Sequence, residues 1–467
     1  MSCDKPREHC GVVGIAGHPE AATLAYLSLY SLQHRGQEGA GIVVNNEGIL
    51  DGYRDIGLVA DVFSEDVLNS LPGSMAIGHV RYSTHGTSVL KNVQPVWVDY
   101  ARGSVALSHN GNLVNGSRLR AGLSAEGSIF QSTTDSEVIV HLIAKSHAPD
   151  FVGQVIDALN HLRGAYSMVI MNSDVMVAVR DPFGFRPLAL GRIGDAHVVA
   201  SESCAFDVID AEFIREIEPG ELIVIDKDGD IQSLFPLRQT RCAHCIFEYV
   251  YFARPDSFIF GENVANVRHR MGQELAREAP VEADLVMPVP DSANVAALGC
   301  AHESGIKYDM GLIRNHYVGR TFIEPEQNIR DFGARLKYNP VRGVLDGQRA
   351  VVVEDSIVRG TTMRKIIKML RRAGVSEIHM RISSPPIRYP CFYGIDMPTR
   401  EELVASTLSV EMLREFFLVE SLHYLSLDGM VRATGLPKER FCLACFDGNY
   451  PVMDRECLED EQTCLIH

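Results

Sequence analysis

No uninterrupted apolar run in these 467 residues reaches the roughly 20 residues that a membrane-spanning helix needs. The first nine residues, Met-Ser-Cys-Asp-Lys-Pro-Arg-Glu-His, are polar and lack the apolar core of a secretory signal. A cytoplasmic protein without a membrane partner is therefore expected. Positive charge is also scarce. There are 44 Lys and Arg against 60 Asp and Glu, a net charge of −16, which argues against a nucleic-acid partner. It does not argue against small phosphorylated ligands, which a few local cations can hold. The Gly-x-x-x-x-Gly-Lys-Ser/Thr phosphate loop is missing, as are repeats and low-complexity tracts. In a cytoplasmic chain the eleven cysteines are expected as thiols or metal ligands rather than disulfides. The composition, 46% hydrophobic and 22% charged, is that of a globular protein, and the length suggests two or three domains.

The most informative stretch is Val351-Val-Val-Glu-Asp-Ser-Ile-Val-Arg-Gly-Thr-Thr362. Three β-branched residues read as a buried strand. Two carboxylates follow, Glu354 and Asp355, then a loop with Gly360, Thr361 and Thr362, then an amphipathic helix from Met363 to Arg372. A hydroxyl-rich loop at a helix N-terminus is an anion cradle, because free backbone N–H groups and the helix dipole both favour phosphate. Adjacent acids suit ribose hydroxyls or a hard cation such as Mg²⁺. Together they point to a phosphoribosyl substrate.

The two halves of the chain differ in pattern. From Cys10 to about Asp230, short alternating apolar runs are separated by Gly and Asn, with helices expected over 21–33 and 135–146. That is an α+β arrangement rich in antiparallel strands. From about Ile246, strands over 285–289, 350–353 and 377–382 alternate with helices over 294–303 and 362–373, which predicts a parallel α/β sheet. The boundary falls between 231 and 251, and we divide the chain at 235/236.

In the first half, Cys10-Gly-Val-Val-Gly-Ile-Ala-Gly reads as a strand that starts abruptly at a cysteine. Four motifs follow it: Ser31-Leu-Gln-His-Arg-Gly-Gln-Glu-Gly-Ala-Gly41, Gly78-His-Val-Arg-Tyr-Ser-Thr-His-Gly86, Ser108-His-Asn-Gly-Asn112 and Ser132-Thr-Thr-Asp-Ser-Glu137. In this order they resemble the class II glutamine amidotransferases, whose fold is the N-terminal-nucleophile (Ntn) hydrolase αββα sandwich. The resemblance implies that residues 1–9 are a cleaved leader and that Cys10 becomes a nucleophile with its own α-amino group as base. A neutral amine with a pKa of about 8 suits that task. It further implies that Arg81 pairs with the α-carboxylate of glutamine and Asp135 with its α-ammonium. Asn110 and the Gly111 N–H would form an oxyanion hole.

The second half, with Phe247-Glu-Tyr-Val-Tyr-Phe-Ala-Arg-Pro-Asp-Ser257, Pro288-Val-Pro-Asp-Ser292, Arg314-Asn-His-Tyr-Val-Gly-Arg-Thr-Phe-Ile323 and the phosphate motif, resembles type I phosphoribosyltransferases. Taken with the first half, it resembles the glutamine phosphoribosylpyrophosphate (PRPP) amidotransferase family, over nearly the whole chain. The resemblance implies release of ammonia from glutamine and its transfer to PRPP, at the first committed step of purine synthesis. PRPP would be held by Asp355, Ser356, Arg359, Gly360, Thr361, Thr362 and Lys337, and Mg²⁺ by Ser292, Glu354 and Asp355. The family usually has two aspartates where this chain has Glu354-Asp355. Six cations, Arg314, Arg320, Arg330, Arg335, Lys337 and Arg342, make 314–342 a candidate lid. The aromatic run 247–252 is a candidate wall for an ammonia path.

Two Cys-x-x-Cys pairs, Cys242/Cys245 and Cys442/Cys445, would by themselves fit a structural zinc site with four thiolates. The resemblance implies a [4Fe–4S] cluster instead, on Cys245, Cys391, Cys442 and Cys445, with Cys242 spare. It also implies purine-nucleotide feedback and a homotetramer or homodimer. A different class II amidotransferase and a PRPP-sensing regulator remain as alternatives. The first lacks a reason for the PRPP motif, and the second lacks a reason to keep Cys10, Arg81, Asn110 and Asp135 together.

Overall fold

The computed structural model describes residues 10–82, 89–227, 229–238, 241–316, 337–397 and 399–453. Its first half is built on two antiparallel sheets of seven and six strands among the described residues. Three strands carry the argument: β1 (Gly11–Ala16) and β2 (Met75–Arg81) in the first sheet, and β3 (Gly103–Leu113) in the second. Val12, Val43 and Ile77 from one sheet meet Ala106, Val169 and Met176 from the other in a shared core. The sheets approach closely because Gly14 has no side chain. A Cβ there would lie 2.7 Å from the Met176 sulfur and 2.8 Å from Val169 Cγ1. Helix α1 (Ala21–Ser31) covers the outer face of the first sheet. Helix α2 (Ser136–Lys145) and the helix Phe151–Leu159 cover that of the second. The layers therefore run helix, sheet, sheet, helix, the expected αββα sandwich.

One expectation needs correction. Beyond the two helices anticipated in this half, Gly116–Ala125 and Phe151–Leu159 are also helical. Their glycines, Gly116, Gly122 and Gly153, disguise them in sequence. Asp150 caps the second by accepting a hydrogen bond from the Gly153 N–H at 2.8 Å, and burial of Val155, Ala158 and Leu159 outweighs the glycine cost. Asn110-Gly111, the expected oxyanion pair, lies inside β3. Just beyond this strand, Asn115 has a structural role. Asn115 is buried, donates to the His161 carbonyl at 2.9 Å and accepts from the Arg163 N–H at 3.0 Å.

The second half holds a four-stranded, all-parallel sheet in the order β4 (Leu285–Pro288), β5 (Arg349–Glu354), β6 (Glu377–Ile382), β7 (Ser421–Tyr424). Alternate residues of β5 point to opposite sides. Val351 and Val353 join a core with helix α3 (Val264–Glu278) and helix α4 (Asn294–Ser304), while Ala350 and Val352 join one with helix α5 (Thr361–Arg372). Burial on both faces is why this strand reads as a continuous apolar run. No described helix is long and apolar enough to cross a membrane.

The halves meet at a buried ion network. Arg35, 1% exposed, donates to Glu202 and, at 2.6 Å, to Glu248. Arg186, 2% exposed, reaches Glu248 from the other side at 3.0 Å. Glu202 also accepts from the Ser257 hydroxyl at 2.6 Å and from the Arg254 N–H at 2.9 Å. Burial alone would raise the Glu202 pKa, but Arg35 and His34 outweigh it and hold the carboxyl well below its usual 4.5. Removing one partner from such a network strands the others in low dielectric. Arg35→Met is therefore expected to lower stability by about 3–5 kcal/mol in chemical denaturation. Because the folded-state pKa of Glu202 is depressed, its stabilisation is present above about pH 4.5 and is lost as pH falls through the folded value. Glu202→Gln should consequently flatten the acid limb of the stability profile, and an unchanged limb would contradict the assignment.

Candidate active sites

The first site forms where β1, β2 and β3 end together. The register pairs Gly11 with Val80, so Cys10 and Arg81 adjoin at the next step along the two strands. Cys10 is buried, and its thiol points to the Tyr82 carbonyl at 3.7 Å. Burial pushes this thiol up to about 11, against the hydrogen bond to Tyr82 and the positive charge of Arg81, both of which pull it down. It is a neutral thiol at pH 7, so nucleophilic work needs a base. Arg81 is itself buried, which lowers its pKa, while Cys10 and Glu38 oppose that shift. Glu38 was not assigned a role from sequence, yet its charge acts on both Cys10 and Arg81.

Asn110 is fully buried on β3, and neither atom of its amide has a partner among the described residues. An unsatisfied buried amide costs on the order of 1–3 kcal/mol, so this one suits a ligand that will satisfy it. Gly111, beside it, has φ +152, and a Cβ there would fall 2.0 Å from the Ala165 carbonyl oxygen. Only glycine fits. Asp135 precedes α2. It accepts from the Leu113 N–H at 2.9 Å, and its other oxygen lies 3.8 Å from His109 Nδ1. The negative charge of Asp135 also bears on Cys10. Of the five positions named from sequence in this half, Cys10 adjoins Arg81, Asn110 and Gly111 are neighbours on β3, and Asp135 bonds to the end of that strand and bears electrostatically on Cys10.

The second site lies at the carboxyl ends of β4 and β5, where open parallel sheets bind ligands. Glu354, Asp355 and Ser356 leave the end of β5 almost fully buried. The Asp355 N–H donates to the Glu354 carboxylate at 3.0 Å, and the Ser356 hydroxyl donates to Asp355 at 2.6 Å. Gly360 caps α5 in a left-handed conformation, φ +77, and Thr361 and Thr362 open the helix. Ser292 sits on the turn between β4 and α4, next to Asp291, which pairs with Arg314 at 2.8 Å. Arg359 is turned to Glu402 at 3.2 Å. Lys337 borders a short antiparallel ladder, Leu312–Arg314 with Tyr338–Pro340, and its ammonium lies 5.6 Å from the centre of the Tyr338 ring. Of the candidate lid, Arg320, Arg330 and Arg335 lie outside the described residues, as does the leader 1–9.

The third feature is an internal cavity lined by Cys245, Cys391, Cys442 and Cys445 with Phe185, Arg186, Phe247, Tyr393 and Tyr450. A two-residue parallel ladder sets Cys245 opposite Cys442. All four thiols are unbridged. Burial raises the Cys245 thiol to about 12 and raises the other three as well. Among the described residues, no three Cys, His, Asp or Glu converge tightly enough to hold a single metal ion. Cys242 does not line the cavity.

Against known proteins, a glutamine amidotransferase domain pattern matches residues 79–208. The chain is 56% identical over 456 residues to the chloroplastic amidophosphoribosyltransferase 1 of Arabidopsis thaliana, covering 97% of this chain and 80% of that one. It is 49% identical over 450 residues to the amidophosphoribosyltransferase of Bacillus subtilis, covering 95% and 94%. The chain belongs to the amidophosphoribosyltransferases. Two solved structures agree. One, described as the allosteric regulatory enzyme of purine biosynthesis, superposes with a TM-score of 0.91 at 49% identity over 95% of this chain and 96% of that one. The other, the glutamine PRPP amidotransferase of B. subtilis complexed with ADP and GMP, gives 0.90 at 49% identity over 95% and 97%. Both cover the two halves, so the amidophosphoribosyltransferase fold accounts for the Ntn sandwich and the phosphoribosyltransferase sheet together.

The elevated Cys10 pKa has a direct consequence. In a chain that retains residues 1–9, iodoacetamide labelling of the Cys10 peptide should be slow at pH 7 and climb with pH, without levelling off below about 11. A plateau near the ordinary thiol value of about 8.5 would show that burial does not govern this cysteine.

Proposed function

We propose that residues 10–235 release ammonia from glutamine at Cys10, and that residues 236–467 use it to convert PRPP to 5-phosphoribosylamine and pyrophosphate. The observation that carries the glutaminase half is the fully buried amide of Asn110, which has no partner among the described residues. Removal of residues 1–9 frees the Cys10 α-amine, which takes the thiol proton. The sulfur then attacks the glutamine amide carbon. Asn110 Nδ2 and the Gly111 N–H hold the oxyanion, while Arg81 grips the α-carboxylate and Asp135 the α-ammonium. Ammonia leaves, and water hydrolyses the thioester to glutamate.

In the second half, the N-terminus of α5 with Gly360, Thr361 and Thr362 receives the 5-phosphate of PRPP. Asp355, Glu354 and Ser356 face the ribose, and Lys337 and Arg359 supply cations, Arg359 after leaving Glu402. The acids fit Mg²⁺, and Glu354, Asp355 and Ser292 would hold it. When bound, it neutralises charge on the departing pyrophosphate. The buried face of the 247–252 segment lies at the junction, which supports its reading as a wall of the ammonia path.

The four cysteines fit an iron–sulfur cluster. They are four thiols around an apolar cavity, the donor set that such a cluster uses. A [4Fe–4S] cluster there would tie the 441–447 segment to the junction and make the protein oxygen-sensitive. Purine nucleotides are the proposed feedback ligands, a homotetramer or homodimer the proposed assembly, and the cytoplasm the proposed compartment.

Anaerobically purified, processed protein should release glutamate from glutamine much faster with PRPP and Mg²⁺ than without. Release indifferent to PRPP would sink the coupled reading. Asn110→Ala should lower glutaminase kcat by about 10²–10³-fold while ammonia-dependent synthesis persists.

A further inference from the structure

One loop touches both the cysteine cavity and the oxyanion strand. Residues 391–394 begin at Cys391, which lines the cavity, and end at Gly394, which lies on Gly111. Gly394 has φ +98, and a Cβ added there would stand 2.9 Å from the Gly111 carbonyl carbon and 3.2 Å from its Cα. On its other side, Gly111 is pressed against Ala165. The Gly111 backbone is thus sandwiched between β-sheet and loop. Next to it, the Asn112 side chain donates to the Phe392 carbonyl at 2.9 Å.

The loop is held from behind. Arg186 donates to the Tyr393 carbonyl at 3.3 Å while binding Glu248, and the Tyr393 ring stacks on Phe185 at 4.3 Å. The Tyr393 N–H donates to the Cys391 sulfur at 3.4 Å, and the Tyr393 hydroxyl donates to the Val452 carbonyl at 2.7 Å. The carbonyls of Phe392 and Tyr393 therefore both have fixed partners, Asn112 and Arg186, and both partners belong to the first half of the chain.

We infer that residues 391–394 are a positioning element for the oxyanion hole, so that whatever fills the cysteine cavity sets the aim of the Gly111 N–H. Gly394 and Asn112 are the positioning residues. The inference rests on the proposed oxyanion role of Asn110 and Gly111. Anchoring Cys391 in a cluster pins one end of the loop, and glutaminase activity then reports on the state of a group that takes no part in the reaction.

The test compares Gly394→Ala and Asn112→Ala in the processed, cluster-loaded enzyme. Both should lower glutaminase kcat by about tenfold or more with little change in KM for glutamine, as expected when a catalytic donor is misaimed. Both should weaken inhibition by the aldehyde analogue of glutamine, whose tetrahedral adduct with Cys10 needs the oxyanion hole, about as much as they lower kcat. Affinity for glutamate, visible absorbance of the cluster and ammonia-dependent synthesis should remain near wild type. Unchanged kcat and aldehyde affinity in both variants would overturn the inference. A parallel fall in glutaminase, cluster absorbance and ammonia-dependent activity would also overturn it, because the loop would then only support the fold. Asn110→Ala separates the two layers. If it too leaves glutaminase intact, the oxyanion reading itself has failed.

Discussion

Glu248 binds two arginines from the other half of the chain, and the architecture of the junction follows from that fact. A carboxylate with no solvent exposure is tolerated only if its charge is matched nearby. Arg35 and Arg186 match it, and Arg35 is in turn shared with Glu202. Glu202 closes the circuit by receiving Ser257 and Arg254 from beyond the junction. No pair in this set can separate without leaving a buried ion unpaired, so the two halves are fixed in one relative placement. Such networks add little net stability compared with apolar packing, but they specify geometry.

That geometry connects the sites. Arg35 precedes Gly36, whose Cα is pressed onto the Arg81 backbone, where a Cβ would come within 2.7 Å. Arg186 lines the cysteine cavity and holds the loop that lies on Gly111. The same ion cluster therefore abuts a residue proposed to grip glutamine and the loop that aims its oxyanion donor. The phosphoribosyl site lies across the parallel sheet, at strand ends whose α3 and α4 cover shares a core with Phe247, Tyr249 and Phe252 of the junction segment. A structural change at either site has a packed route to the other through this shared core.

Much of this was legible in the chain. The β5 strand, its acids and the cap at Gly360 could be read because each rests on local rules: β-branched burial, adjacent carboxylates, and glycine in a left-handed conformation. Cys10, Arg81, Asn110 and Asp135 could be named only through their resemblance to a known pattern. Their meeting place depends on strand register, which sequence spacing does not reveal. The helices Gly116–Ala125 and Phe151–Leu159 were hidden by glycine, whose local cost was overridden by tertiary burial. The pairing of Arg186 with Glu248 gave no signal at all, although Glu248 stands inside a quoted motif. A charged residue destined for full burial looks like any surface charge until its partner, 62 to 213 residues away here, is known.

The central claim is that one chain passes ammonia from Cys10 to PRPP without release. It is tested most directly with glutamine labelled with ¹⁵N in the amide, turned over in the presence of excess unlabelled ammonium, with the phosphoribosylamine trapped before it hydrolyses. The account predicts product that retains nearly all of the ¹⁵N at a pH where free ammonia is scarce. Product whose label is diluted to the level of the bulk ammonium pool would show that the two sites work side by side and not in series.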